Sequence, residues 1–146
     1  MSTDWKKAQQ KASRTARWAV TMVKVRIRRV ASRTRWQLVT FCGKAGGESV
    51  GVVDLLAIRK DHRPPLAIMK RGDALQLILV QVKGGASAMP TLEDGIRLHA
   101  VAKRHRAKAA LLATWKRGTQ ARFYRLQLKA KTHAWIEIRD IEVIFR

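Results

Sequence analysis

Between Trp18 and Val30 apolar residues recur at steps of three and four: Trp18, Ala19, Met22, Val23, Ile27 and Val30. That spacing predicts an amphipathic helix with one buried stripe. The preceding run DWKKAQQKASRT lacks a matching stripe, so residues 1–15 are expected to be frayed helix or a mobile basic arm, ahead of a single domain over 16–146. From residue 36 the period changes. WQLVTFC (36–42) reads as a strand, GKAGGES (43–49) as a flexible glycine loop, and VGVVDLLAI (50–58) as a second strand. KDHRPP (60–65) is a turn whose prolines bar continued pairing, LAIMK (66–70) is able to pair, and ALQLILVQVK (74–83) is a further strand. The second strand and this last one are apolar on both faces, as central strands are. Short connections among these first strands predict an antiparallel meander.

A helix follows. Thr91 stands as its N-cap with Asp94 three residues on, and the helix runs to about Arg106. AALLATW (109–115) is again apolar on both faces, which predicts a strand paired in parallel beyond the helical crossover. Lys116-Arg117-Gly118 turns the chain into a strand over 121–128 with Tyr124, Leu126 and Leu128 on one face. The tail 134–145 alternates apolar and charged residues and suits a sheet edge or a subunit interface. The sum is an α/β fold: a central mixed sheet, antiparallel meander plus one parallel strand, flanked by helices.

Charge changes this picture most. Lys and Arg number 31 against 10 Asp and Glu, a formal net charge of +21. A field that one-sided favours polyanions, nucleic acid first and an anionic membrane surface a distant second. Eleven of the cations fall in residues 1–35 against one acid, Asp4, so the first helix is expected to face phosphates. Arg26, Arg28 and Arg29, with Lys103, Arg104 and Arg106 at the end of the second helix, are the expected phosphate contacts. One cysteine, Cys42, excludes an intramolecular disulfide and a cysteine zinc cluster; it reads best as a small buried hydrophobe. No apolar run approaches the length of a membrane span and no signal-peptide core opens the chain, so a cytoplasmic setting is expected. The four histidines show no metal-ligand spacing, and four of the five tryptophans sit where core anchors are expected, Trp5 lying amid charge.

The chemistry lies in the two apolar strands. Asp54 interrupts the first, and the second ends Gln81-Val82-Lys83, with Gln81 and Lys83 on one face by alternation. A carboxylate, an amide and an ammonium have no place in a buried sheet unless they pair or do chemistry. The bland reading stays beside that one: Asp54 as the cap of a turn and Lys83 simply leaving the sheet into solvent.

The order of helix, strand, glycine loop, strand with Asp54, strand ending Gln81-x-Lys83, helix and strand resembles the PD-(D/E)XK nuclease superfamily, and within it the archaeal-type Holliday junction resolvases. The resemblance covers roughly residues 16–128 and rests on GVVDLLAI, on LILVQVKGG about 27 residues later, and on the basic helix and LLATW strand behind them. It implies a restriction-endonuclease-like fold. It also implies a Mg²⁺ site, with Mn²⁺ as a substitute, held by Asp54, Gln81 and the backbone carbonyl of Val82, with Lys83 orienting the attacking water. It further implies an endonuclease acting on branched DNA as a homodimer. The chain departs from the pattern in three places. Gln81 stands where an acid is usual, Val53 stands for the proline, and residues 5–35 supply no carboxylate. Glu48, six residues before Asp54, is the nearest acid able to swing in as a further ligand. Two other readings fit the same residues: a nuclease-like fold that binds DNA without cutting it, and a small basic RNA-binding protein.

Overall fold

In a computed structural model, which describes residues 2–41, 43, 50–86, 89–129 and 132–146, the chain forms one six-stranded sheet with a helix on each face. Helix α1 spans Ser2–Ala31. It is followed by strands β1 (Gln37–Thr40), β2 (Leu55–Lys60) and β3 (Leu75–Gly84), helix α2 (Leu92–Arg104), and strands β4 (Ala109–Trp115), β5 (Arg122–Lys129) and β6 (Thr132–Ile138). A 3₁₀ turn over Ile141–Val143 ends the order. The spatial order of the strands is their order in the chain. All neighbours are antiparallel except β3 and β4, which run parallel with Gln81 opposite Leu112 and Lys83 opposite Thr114. Both expectations, the meander and the single parallel pair after a helical crossover, hold.

Side-chain alternation divides the core into two layers. Ile78 and Val80 of β3, Leu55 and Ala57 of β2, and Leu111 and Ala113 of β4 face α1, where Val23 and Ile27 are fully buried. On the other face Leu79 packs with Leu98 of α2 and with Val52, joined by Leu126 and Trp135. Helix α2 begins as its sequence requires. The Thr91 hydroxyl accepts from the Asp94 N–H and the Asp94 carboxylate accepts from the Thr91 N–H, so two otherwise unpaired donors are satisfied reciprocally.

Several local expectations fail, each for a visible reason. Pairing of β2 starts at Leu55 rather than at Val50, because Gly51 takes a φ of 109° and Val50 stands fully in solvent. LAIMK forms no strand: Leu66 and Ile68 are exposed and Ala67 adopts a φ of 54°. The run before Trp18 is continuous helix from Ser2, with residues 3–14 all exposed. Trp18 itself is 55% exposed, outside the buried stripe, which consists of Ala19, Val23, Ile27 and Ala31. Of the expected tryptophan anchors, Trp36 and Trp115 are buried and Trp135 is half-buried. The position of Cys42 lies outside the described residues.

The tail does two things. β6 closes the far edge of the sheet against β5. The chain then turns under it, so that Ile141, Ile144 and Phe145 enter the α1-side core. There Phe145 meets Trp36 edge-to-face at 5.8 Å, and the Trp36 indole N–H donates to the Phe145 carbonyl at 2.8 Å.

Candidate active site at the end of the third strand

β3 outruns β2. The antiparallel ladder ends with Leu55 opposite Val80, and Asp54 extends it by one residue through its main chain. Its N–H donates to the Val80 carbonyl at 2.9 Å, and its own carbonyl accepts from the Phe41 N–H at 3.0 Å. Beyond that point β3 continues to Gly84 with β4 on one side and no β2 on the other. The Asp54 side chain occupies this step: its Oδ2 accepts from the Val82 N–H at 2.7 Å. In an extended strand the N–H and C=O of one residue point the same way, so the Val82 carbonyl also faces the side that β2 has vacated.

Gln81 and Lys83 project from the α2-side face of β3, the face of Leu79. Gln81 is the sole charged or polar side chain among the described buried residues, at 6% exposure, and its Oε1 finds no hydrogen-bond partner among them. An amide oxygen withheld from water without a partner carries a cost of about 1–3 kcal/mol, which a ligand able to accept that lone pair would relieve. Lys83 is half-buried and makes no ion pair among the described residues. Asp54, Gln81, Val82 and Lys83 are thus brought together at one end of the sheet, on two adjacent strands. Glu48 lies outside the described residues. Among those described, no group of three or more His, Cys, Asp and Glu side chains is placed to hold a metal.

The donors that are present suit one kind of ion. A carboxylate, an amide oxygen and a main-chain carbonyl are all hard oxygen ligands, the class that hard divalent cations such as Mg²⁺ and Ca²⁺ take. No soft or imidazole ligand competes among these residues. The buried, unpartnered Gln81 oxygen is the feature that fits such a cation best.

The expected phosphate contacts are not gathered at this site. Arg28 and Arg29 are exposed on the second half of α1, with Arg26 half-buried beside them, while Lys103, Arg104 and Arg106 are exposed at the end of α2, on the opposite face. Both groups lie toward the start of β3, because Lys108 donates its N–H to the Leu77 carbonyl and α1 ends beside Arg59 through Thr34. Six residues of strand separate Leu77 from Lys83, roughly 20 Å at 3.3 Å per residue.

That distal end also holds a group of basic side chains the sequence did not single out. Arg35, Arg59, Lys60, His62 and Arg63 line an open groove of about 490 Å³ with Thr34, Gln37, Asp61 and Gln76. Arg59 lies 4.3 Å over the Trp36 ring and donates to Gln76 Oε1, the Thr34 carbonyl and the Arg146 main-chain oxygen. Burial pulls its pKa below the ordinary arginine value. Lys108 is likewise lowered, first by desolvation and then by its positive neighbours Arg59, Arg63 and Arg125. The acid in the groove, Asp61, is engaged by Arg63 at 2.6 Å, and those hydrogen bonds hold its carboxyl at about 2. The signal in the sequence was the KDHR cluster before two prolines, which reads there only as a turn.

No family model and no curated protein matches the chain. Among solved structures it is similar to Hjc of Archaeoglobus fulgidus, a Holliday junction resolvase from an archaeal hyperthermophile. That match has a TM-score of 0.48 and 13% identity, over 86% of this chain and 94% of that one.

Proposed function

We propose that the protein is a divalent-metal-dependent endonuclease with a restriction-endonuclease-like fold, which hydrolyses phosphodiester bonds in branched DNA. The observation that carries this reading is the buried, unpartnered Gln81 oxygen on the strand that Asp54 caps, with Lys83 two residues further along the same face. Asp54, Gln81 and the Val82 carbonyl would hold Mg²⁺ or Mn²⁺. A bound ion of this kind supplies neutralisation of charge on the phosphate and a lowered pKa for a bound water.

The chain's own residues do the rest. The Val82 N–H fixes the orientation of the Asp54 carboxylate, so that the site is rigid before substrate arrives. Lys83 would add positive charge where negative charge develops on the phosphoryl oxygens, and would orient the attacking water. The large positive net charge draws the polyanion in and makes its affinity fall steeply with salt. A homodimer would present two such sites related by two-fold symmetry, as paired nicks across a four-way junction require.

The test is cleavage of a four-way junction and of plasmid DNA with Mg²⁺, with Mn²⁺ and with chelator, in the parent chain and in Lys83→Ala. Metal-dependent nicking lost in Lys83→Ala supports the reading, and cleavage indifferent to metal overturns it. Gln81→Glu gives a finer check. Adding a charge to a coordinating oxygen should tighten Mg²⁺ binding, measured by calorimetry, by about tenfold. Unchanged binding would remove Gln81 from the ligand set.

One observation favours a second reading. With a single carboxylate at the described site, the fold could hold DNA without cutting it. Junction binding with no cleavage in either metal selects that alternative.

A further inference from the structure

The two sides of α1 have different surroundings. Its inner stripe, Ala19, Val23, Ile27 and Ala31, is buried against the sheet, where the helix crosses β3 and β4. The closest approach is at the end of β3. A Cβ on Gly84 would lie 2.7 Å from the Ala19 Cβ, and one on Gly85 3.0 Å from the Thr15 methyl group. Both glycines follow Lys83 directly. The helix therefore leaves the sheet at the end that holds Asp54, Gln81 and Lys83, and residues 3–14 project beyond it, every one exposed.

Along the outer side Lys7, Lys11, Arg14 and Trp18 follow one another at steps of four, three and four, a single stripe on a helix. Arg29 continues the line eleven residues, or about three turns, beyond Trp18. All five are exposed, and none of these cations makes an ion pair among the described residues. An indole standing 55% in solvent amid unneutralised cations has no packing role to explain it. The combination is that of surfaces which track a phosphate backbone while an aromatic ring stacks on a base.

We propose that the outer stripe of α1 binds an unpaired DNA strand, its phosphates lying along Lys7, Lys11 and Arg14 and one base stacking on Trp18. The assignment to DNA rests on the nuclease reading above. The preference for an unpaired strand does not, because the face of a base is free to stack only outside a duplex. From Lys7 to Trp18 the stripe measures roughly 16 Å, room for a few nucleotides. A membrane surface fits poorly. A helix lying in a lipid interface buries a broad apolar face, and this stripe has one apolar residue.

The experiment measures affinity of the full chain by fluorescence anisotropy in EDTA, for an oligothymidylate of about 20 nucleotides, its oligouridylate counterpart and a duplex of the same length. Trp18→Ala should weaken oligothymidylate binding about tenfold, leave duplex binding within about twofold, and leave the unfolding midpoint unchanged. Trp18→Phe should retain most of the affinity. Lys11→Gln with Arg14→Gln should lower the slope of log affinity against log salt by about 1.4 on the single strand. The proposal is overturned if Trp18→Ala binds oligothymidylate like the parent, or if it loses duplex binding to the same degree. Tighter binding to oligouridylate, or Trp18-dependent capture by anionic vesicles in place of DNA, overturns it as well. Because no metal is present, a chain that holds oligothymidylate through Trp18 yet never cleaves a junction overturns the nuclease reading and leaves the single-strand site standing, its choice of DNA then resting on the measured preference over oligouridylate.

Discussion

Replacing Asp54 by asparagine should reduce metal-dependent cleavage by about 10²–10³-fold or more while leaving the fold intact. Asparagine is the informative substitution because Asp54 has two tasks. Its carboxylate accepts the Val82 N–H at 2.7 Å, and an amide oxygen can do the same, so the edge of β3 stays capped. What is lost is the negative charge that a divalent ion requires. Alanine removes both, leaving the Val82 N–H without its acceptor at a cost of about 1–3 kcal/mol. Asp54→Ala should therefore lose activity and some stability together, whereas Asp54→Asn separates them. Rates on a four-way junction, with urea unfolding of the same samples, make the check. An asparagine variant that still cleaves at the parental rate would remove Asp54 from the site.

The largest stability effect is expected at the other end of the chain. Phe145 is fully buried, packs edge-to-face on Trp36, and its carbonyl accepts the Trp36 indole N–H. Phe145→Ala should lower the free energy of unfolding by about 3–5 kcal/mol, the range for deleting a buried aromatic ring. Val143, two residues earlier and 53% exposed, is the control, and its replacement by alanine should stay within about 0.5 kcal/mol. Urea midpoints at unchanged m-value distinguish the two. Equal midpoints would mean that the tail does not seal the core.

That seal was not legible in the sequence. The alternation of 134–145 shows which residues share a face, and so anticipates an edge strand. It does not show that the chain folds back under the sheet at Asp140, because that depends on the space left between α1 and β5. Trp18 illustrates the same limit on a helix. Hydrophobic spacing marks a stripe, but the width of sheet beneath it decides which members are covered, and β3 and β4 cover Ala19 and Val23 rather than Trp18. Local chemistry alone suffices for the Thr91–Asp94 capping box, and an AALLATW apolar on both faces suffices to announce a central strand.

The site was legible in part for the same reason. Parity along β3 suffices to put Gln81 and Lys83 on one face. The tie between the Asp54 carboxylate and Val82 is a tertiary fact, set by how far β3 outruns β2, and no spacing reports it. Nor does the sequence reveal that its two groups of expected phosphate contacts lie on opposite faces, toward the distal end of the sheet.

A sheet whose spatial order repeats its chain order has a consequence for how it assembles. Each strand docks beside the one made before it, so no ladder waits for a strand made later, and the last two antiparallel ladders close the shortest loops. β3 and β4 alone must wait for a helix between them. The Trp36–Phe145 contact is of another kind, joining residues 109 positions apart. Closing so long a loop before the strands between are in place carries the largest entropic cost in the fold, and so the contact should act as a latch on a sheet already built.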